Sequence, residues 1–201
     1  MTLTRRAALL GAVLFPTAAA YAADPDAVAP IQGLNQALAQ VAAAGRGAPF
    51  AQRYNTLAPA VERAYDLPAI LQLAVGPRWG SLPPPEQQSL LDAFRKFTVA
   101  SYVANFDNRE RFELLPDSRS IGADQVVATR VVPNGGDPTR IDYVMRRTAQ
   151  GWRAVDVLLN GSISQVAVYR SDWRASLASG AGPLIANLQA KVASLSGGAI
   201  R

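Results

Sequence analysis

Residues 151–173 read GWRAVDVLLNGSISQVAVYRSDW, and their reading decides the fold. Trp152 to Leu159 is a short run rich in β-branched residues, apolar on both faces apart from Arg153 and Asp156, as expected of a strand covered on both sides. Asn160-Gly161 ends it. A helix then starts near Ser162 or Ser164, either of which suits an N-cap. Val166, Tyr169, Trp173 and Leu177 recur at helical steps on one face. This segment packs much Val, Leu, Tyr and Trp beside a polar turn, in a chain with no His and no Cys. The reading is a protein that holds something apolar and performs no chemistry on it.

The same strand pattern recurs upstream. Segments 111–117, 124–133 and 139–147 are short, β-branched and turn-bounded, so four consecutive antiparallel strands are expected. Asn134-Gly135-Gly136 reads as a hairpin turn. Alternation puts Ile141, Tyr143 and Met145 on one side and Arg140, Asp142 and Arg146 on the other. Before the strands come helical patterns. Ile31, Leu34, Leu38 and Val41 mark a helix within 24–46, closed by Gly45 and Gly47. Segment 50–76 carries Pro59 and Pro68 and is expected to break into two or three short helices. Segment 81–106 reads as the longest helix, with prolines and Glu86 in its first turn. Leu90, Leu91, Phe94 and Phe97 form its stripe, continued by Tyr102 and Phe106. A last helix has Leu184, Leu188, Val192 and Leu195 in register. Helices, then a curved antiparallel sheet of about four strands, then helices make an α+β fold.

The N-terminus stands apart. Arg5-Arg6, the apolar stretch Ala7 to Phe15 and the small-x-small site Ala20-Tyr21-Ala22 form a secretory signal peptide over residues 1–22, leaving 23–201 as one domain. The paired arginines also resemble a twin-arginine signal, though such pairs are common in ordinary signals, so the export route stays open. No Cys follows the apolar run, which rules out a lipoprotein anchor. The formal net charge is +5; Arg5 and Arg6 supply two of the positive charges, so cleavage leaves +3. The basic residues are scattered, without the basic tract of a nucleic-acid binder. Lacking Cys, the chain has no disulfides, thiolate catalysis or iron–sulfur sites. Lacking His, it has no Ser-His-Asp triad and none of the usual zinc sites. No cofactor is expected.

Residues 65–106 contain YDLPAILQLAVGPRW and EQQSLLDAFRKFTVASYVANF; residues 142–177 contain DYVMRRTAQGWRAVDVLLNGSISQVAVYRSDWRASL. In order and spacing these resemble the MlaC or toluene-tolerance family of periplasmic carriers that serve an ABC-type lipid transport system. The likeness runs over nearly the whole mature chain, through Asp66, Gly76, Trp79, Glu86-Gln87, Tyr143, Trp152, Asp156, Gly161, Ser164 and Tyr169-Arg170-Ser171. The resemblance implies a cone-like α+β fold similar to the nuclear-transport-factor-2 shape. Lipid tails would enter between sheet and helices, with the head group near solvent. VASYVANFD (99–107), DYVMR (142–146), VDVLLNGSISQVAV (155–168) and LSGG (195–198) look closest to a branch associated with hopanoid biosynthesis, which makes a hopanoid a second cargo beside a phospholipid. The implied partners are an inner-membrane ABC-type complex and an outer-membrane protein, with this chain a monomeric periplasmic shuttle.

The candidate lipid wall is Ile141, Tyr143, Met145, Val155 and Val157 from the sheet, and Phe94, Phe97, Tyr102, Phe106, Val166 and Tyr169 from the helices. Each is equally a residue of a filled core, because periodicity shows which face is apolar and not whether it is packed. Asp156 either orients an arginine at a pocket mouth or is a buried acid satisfied by Arg or by turn backbone. Arg170 either meets a phosphate or makes a surface salt bridge. Two other readings stand: an enzyme moving a proton in an apolar cavity with Asp156 or Asp142 and Tyr143, and an interaction protein with a solid core.

Overall fold

The computed structural model describes residues 23–106 and 108–200; the signal peptide expected over 1–22 lies outside them. Four helices come first: α1 (Pro25–Ala44), α2 (Phe50–Ala64), α3 (Leu67–Val75) and α4 (Pro84–Asn105), with a 3₁₀ turn (Gly76–Ser81) before α4. Strands β1 (Arg111–Leu114), β2 (Arg119–Ile121), β3 (Asp124–Val132), β4 (Thr139–Thr148), β5 (Gly151–Leu159) and β6 (Ile163–Ser164) follow. Helix α5 (Gln165–Trp173), a 3₁₀ turn (Ser176–Ser179) and α6 (Gly182–Ser196) close the chain.

The helix starts follow from local chemistry. The Asp24 carboxylate accepts the Asp26 N–H at 2.9 Å and opens α1, with Pro25 in the first turn. Asp66 caps α3 through the Ala69 N–H at 3.0 Å. Ser164, of the two candidate serines, caps α5 through the Ala167 N–H at 3.1 Å. Each side-chain oxygen satisfies a backbone donor that the first helical turn leaves without a partner. Pro68 sits in the first turn of α3, where the missing N–H removes nothing.

Pro59 corrects the expected break: α2 runs through it without interruption. Proline removes one bond, to the carbonyl of Asn55, and both Pro59 and Asn55 are on the exposed side of the helix, where the loss costs least. The buried row of Leu57, Ala60, Val61 and Ala64 holds the helix against the core. In α6 the buried row is Leu184, Leu188, Val192 and Ser196, at steps of four; Leu195 is exposed.

The sheet is antiparallel, in the order β1-β3-β4-β5-β6, with β2 paired beside β1 on β3. It has six strands where about four are expected, because β2 and β6 are too short, at three and two residues, to show a period. The helices lie mainly over one face, on Val127, Ile141, Tyr143, Met145 and Ala154, with α6 resting on α4 and Ala69 of α3 reaching the other face. The other face holds a small apolar cluster, Val126, Val144, Val155 and Leu158, and an ion network. There Asp142, fully buried, receives Arg140 Nε at 2.8 Å and Arg119 Nη1 at 2.9 Å. Arg119 Nη2 also donates to the Gly161 carbonyl at 2.8 Å, so β2, β4 and the β5–β6 turn meet at one carboxylate.

Val155 corrects the expected wall. The β4–β5 register passes from Val144 opposite Asp156 to Met145 opposite Ala154, which leaves Val155 as the extra residue of a bulge. A bulge breaks the two-residue alternation. Val155 therefore joins the cluster on the far face, although Val157 keeps the near one.

Candidate functional site

A cavity of about 410 Å³ lies between the helices and the near face of the sheet. Helix α4 presents Phe94, Phe97, Thr98, Ser101, Tyr102 and Asn105 to it. Those positions recur every three or four residues, which is one helical face. At 1.5 Å per residue, Phe94 to Asn105 spans about 16 Å. Helix α5 presents Gln165, Val166, Tyr169, Asp172 and Trp173 from the opposite side. Val157 and Leu159 of β5, Ile141 of β4, and Tyr65, Leu67 and Ile70 near the α2–α3 junction complete the lining.

The aromatic lining is held as an interlocked set. Tyr169 stacks on Trp173 at 4.6 Å, and Phe94 meets both rings edge-on at 5.7 Å. Tyr102 stacks on Phe106 at 5.8 Å, and Phe106 meets Phe112 of β1 edge-on at 5.1 Å. Edge-to-face and offset pairs of this kind fix ring orientation beyond what burial alone does.

Three phenols gather at this wall, Tyr65 and Tyr102 in the lining and Tyr143 beneath it. The Tyr65 and Tyr102 hydroxyls are hydrogen-bonded to each other, and Tyr143 packs edge-on to Tyr65 at 6.1 Å. Burial pushes the Tyr143 phenol up to about 12 and raises Tyr65 and Tyr102 well above the usual tyrosine value. Tyr169 is likewise pushed up to about 12, by burial first and the Asp156 charge second. All four are neutral hydroxyls at any physiological pH.

Asp156 is satisfied within its own neighbourhood. Oδ2 accepts the Ser164 hydroxyl at 2.5 Å, and Oδ1 accepts the N–H groups of Val157 at 2.7 Å and Val166 at 3.1 Å. Its partners are a hydroxyl and backbone, and no arginine. Asp142 and Tyr143 are consecutive in β4 and point to opposite faces, and Asp142 is held by two guanidinium groups. Neither carboxylate is placed as a base for Tyr143. Arg170 makes no salt bridge among the described residues: its guanidinium donates to the Leu73 carbonyl at 2.5 Å and ties α5 to α3. Among the described residues no group of His, Cys, Asp or Glu is arranged to hold a metal ion.

Of the candidate wall, Phe94, Phe97, Tyr102, Phe106, Ile141, Val157, Val166 and Tyr169 line the cavity. Tyr143 and Met145 lie beneath it in the packed core, and Val155 is on the far face. Sequence reasoning left out Tyr65, Leu67 and Ile70, which come from the segment expected to be broken. It also left out Trp173, which follows Tyr169 by one turn and was legible on that ground.

The family model described as MlaC protein matches residues 32–190. This chain belongs to the MlaC family. Among solved structures, the chain resembles the phospholipid-binding protein from Ralstonia solanacearum, determined in complex with a phospholipid. The TM-score is 0.72 at 22% identity, over 85% of this chain and 99% of that one. At that identity the likeness establishes a shared MlaC-type α+β fold. Among the described residues no helix is long and apolar enough to cross a membrane.

Proposed function

We propose that this protein is a periplasmic lipid carrier, exported with a cleaved signal peptide over residues 1–22. Residues 23–201 act as one domain that shuttles lipid between an inner-membrane ABC-type complex and an outer-membrane partner. The observation that carries the reading is the groove between α4 and α5. It is lined mainly by aromatic and aliphatic side chains, with four neutral polar residues, and the charged groups on it are at its rim or, like Asp156, already satisfied. The phospholipid held by the Ralstonia solanacearum relative supports a lipid as cargo. A hopanoid is the other cargo considered, on the sequence likeness to the hopanoid-associated branch.

The energetics fit a carrier. An alkyl chain drawn from a bilayer into water costs about 0.8 kcal/mol per methylene, so about fourteen methylenes face roughly 11 kcal/mol. Dry aromatic walls offset most of this, and sparse polar anchoring lets the cargo leave. A volume of about 410 Å³ falls within the range of ligand pockets, about 300–1,000 Å³.

The test is transfer. Lipid-free protein is incubated with vesicles containing a tail-labelled phospholipid and then separated from them. Label recovered on the protein at one lipid per chain is the expected result. Protein recovered without label, while remaining folded, would refute the reading.

A further inference from the structure

The rim of the groove carries two charges of opposite sign that form no ion pair among the described residues. Asp172 of α5 and Lys191 of α6 both line the cavity and are both exposed. Neither makes a hydrogen bond or ion pair among the described residues, and they do not pair with each other. Several charges on the sheet, by contrast, are matched: Arg130 with Glu113 at 2.6 Å, Arg146 with Asp124 at 2.6 Å, Arg140 with Asp117 at 2.6 Å.

Both charges sit at the same end of the groove. The Lys191 ammonium lies over the Phe97 ring, 5.6 Å from its centroid. Asp172 precedes Trp173, whose ring is 5.7 Å from that of Phe94, one turn before Phe97 on α4. The opposite end, at Phe106, Ile141 and Leu159, has no ionised lining residue. An amphiphile in this groove meets an unpaired cation and carboxylate at one end; the rest of the lining is mostly hydrocarbon, with the neutral Thr98, Ser101, Asn105 and Gln165 and the already satisfied Asp156.

The geometry points to a head-group subsite, in which Lys191 receives the phosphate and Asp172 the ammonium of a zwitterionic phospholipid bearing a primary amine. This rests on the lipid-carrier reading and adds the class of head group. A primary ammonium donates charge-assisted hydrogen bonds to Asp172, whereas a quaternary ammonium has no N–H to give. A head with phosphate and no amine leaves Asp172 facing a like charge. Because both side chains are exposed, each contact is screened and its effect modest, up to about fivefold in affinity.

The experiment measures binding of four tail-matched probes to lipid-free protein at low ionic strength: phosphoethanolamine, phosphocholine and phosphoglycerol lipids, and a diacylglycerol. The phosphoethanolamine lipid is expected to bind tightest, by about two- to fivefold. Asp172→Asn is expected to erase its advantage over phosphocholine and to strengthen phosphoglycerol. Lys191→Gln is expected to bring all three phospholipids toward the diacylglycerol value. Circular dichroism confirms that both surface variants fold. Equal affinity for all heads, or a ranking unchanged in both variants, overturns the subsite and leaves the carrier reading standing. Failure of all four probes to bind overturns both.

Discussion

The Asp156 carboxylate accepts the Ser164 hydroxyl at 2.5 Å, and Ser164 in turn caps α5. One acid in β5 therefore fixes the start of the helix that forms one wall of the cavity. Its role is positional: it holds α5 at the distance from α4 that leaves the groove between them.

Removing either partner should loosen that wall. Ser164→Ala loses the N-cap and one bond to a charged group, and should cost about 1–2 kcal/mol in urea unfolding. Asp156→Ala should cost more, about 2–4 kcal/mol, since a charged acceptor of three hydrogen bonds is lost. An Asp156→Ala variant as stable as the parent would contradict this role.

The wall and the core should separate on mutation. Met145 is fully buried beneath the cavity, so Met145→Ala should cost about 2–5 kcal/mol of stability. Val157 borders open space, so Val157→Trp should leave stability within about 1 kcal/mol. It should nonetheless lower lipid occupancy several-fold. Unchanged occupancy in folded Val157→Trp would remove that residue from the wall.

Gly161 should not accept a side chain. Its φ is +75°, and an added Cβ would meet Arg140 Nε at 3.2 Å and Asp142 Oδ2 at 3.4 Å. Gly161→Ala should cost about 1–2 kcal/mol from the backbone alone, with a further loss from disturbing the buried carboxylate. Thermal denaturation measures it; an unchanged midpoint would contradict the network around Asp142.

Alkaline pH should unfold the protein in a defined window. The folded Tyr143 and Tyr169 phenols titrate near 12, and Tyr65 and Tyr102 are also raised, whereas the unfolded chain titrates near 10. Above pH 10 the unfolded state binds fewer protons than the folded one, so stability falls as pH rises. The contribution is complete below pH 10 and is lost up to and beyond pH 12. Phenolate absorbance should therefore rise together with loss of ellipticity. Tyr143→Phe should make that loss shallower.

The sequence is legible where one period runs long enough. Ile141, Tyr143 and Met145 alternate over a ten-residue strand and share the near face. Phe94, Phe97 and Tyr102 recur over about two turns of a long helix and share the cavity. Legibility fails where a local event resets the period. The bulge at Val155 sends that side chain to the far face while Val157 stays on the near one. Strand β6 is hidden by length: it returns through the three-residue connection 160–162, in which Asn160 and Gly161 have positive φ, 51° and 75°. The cavity itself is a shortage of packing between faces, which no single stretch of residues can display.

The central claim, that a hollow apolar interior holds lipid, is tested most directly by native mass spectrometry of the protein purified from its own cell envelope. The account predicts a mass above that of the polypeptide by one lipid, released as an intact amphiphile on denaturation. A bare polypeptide mass under conditions that keep the protein folded would contradict it.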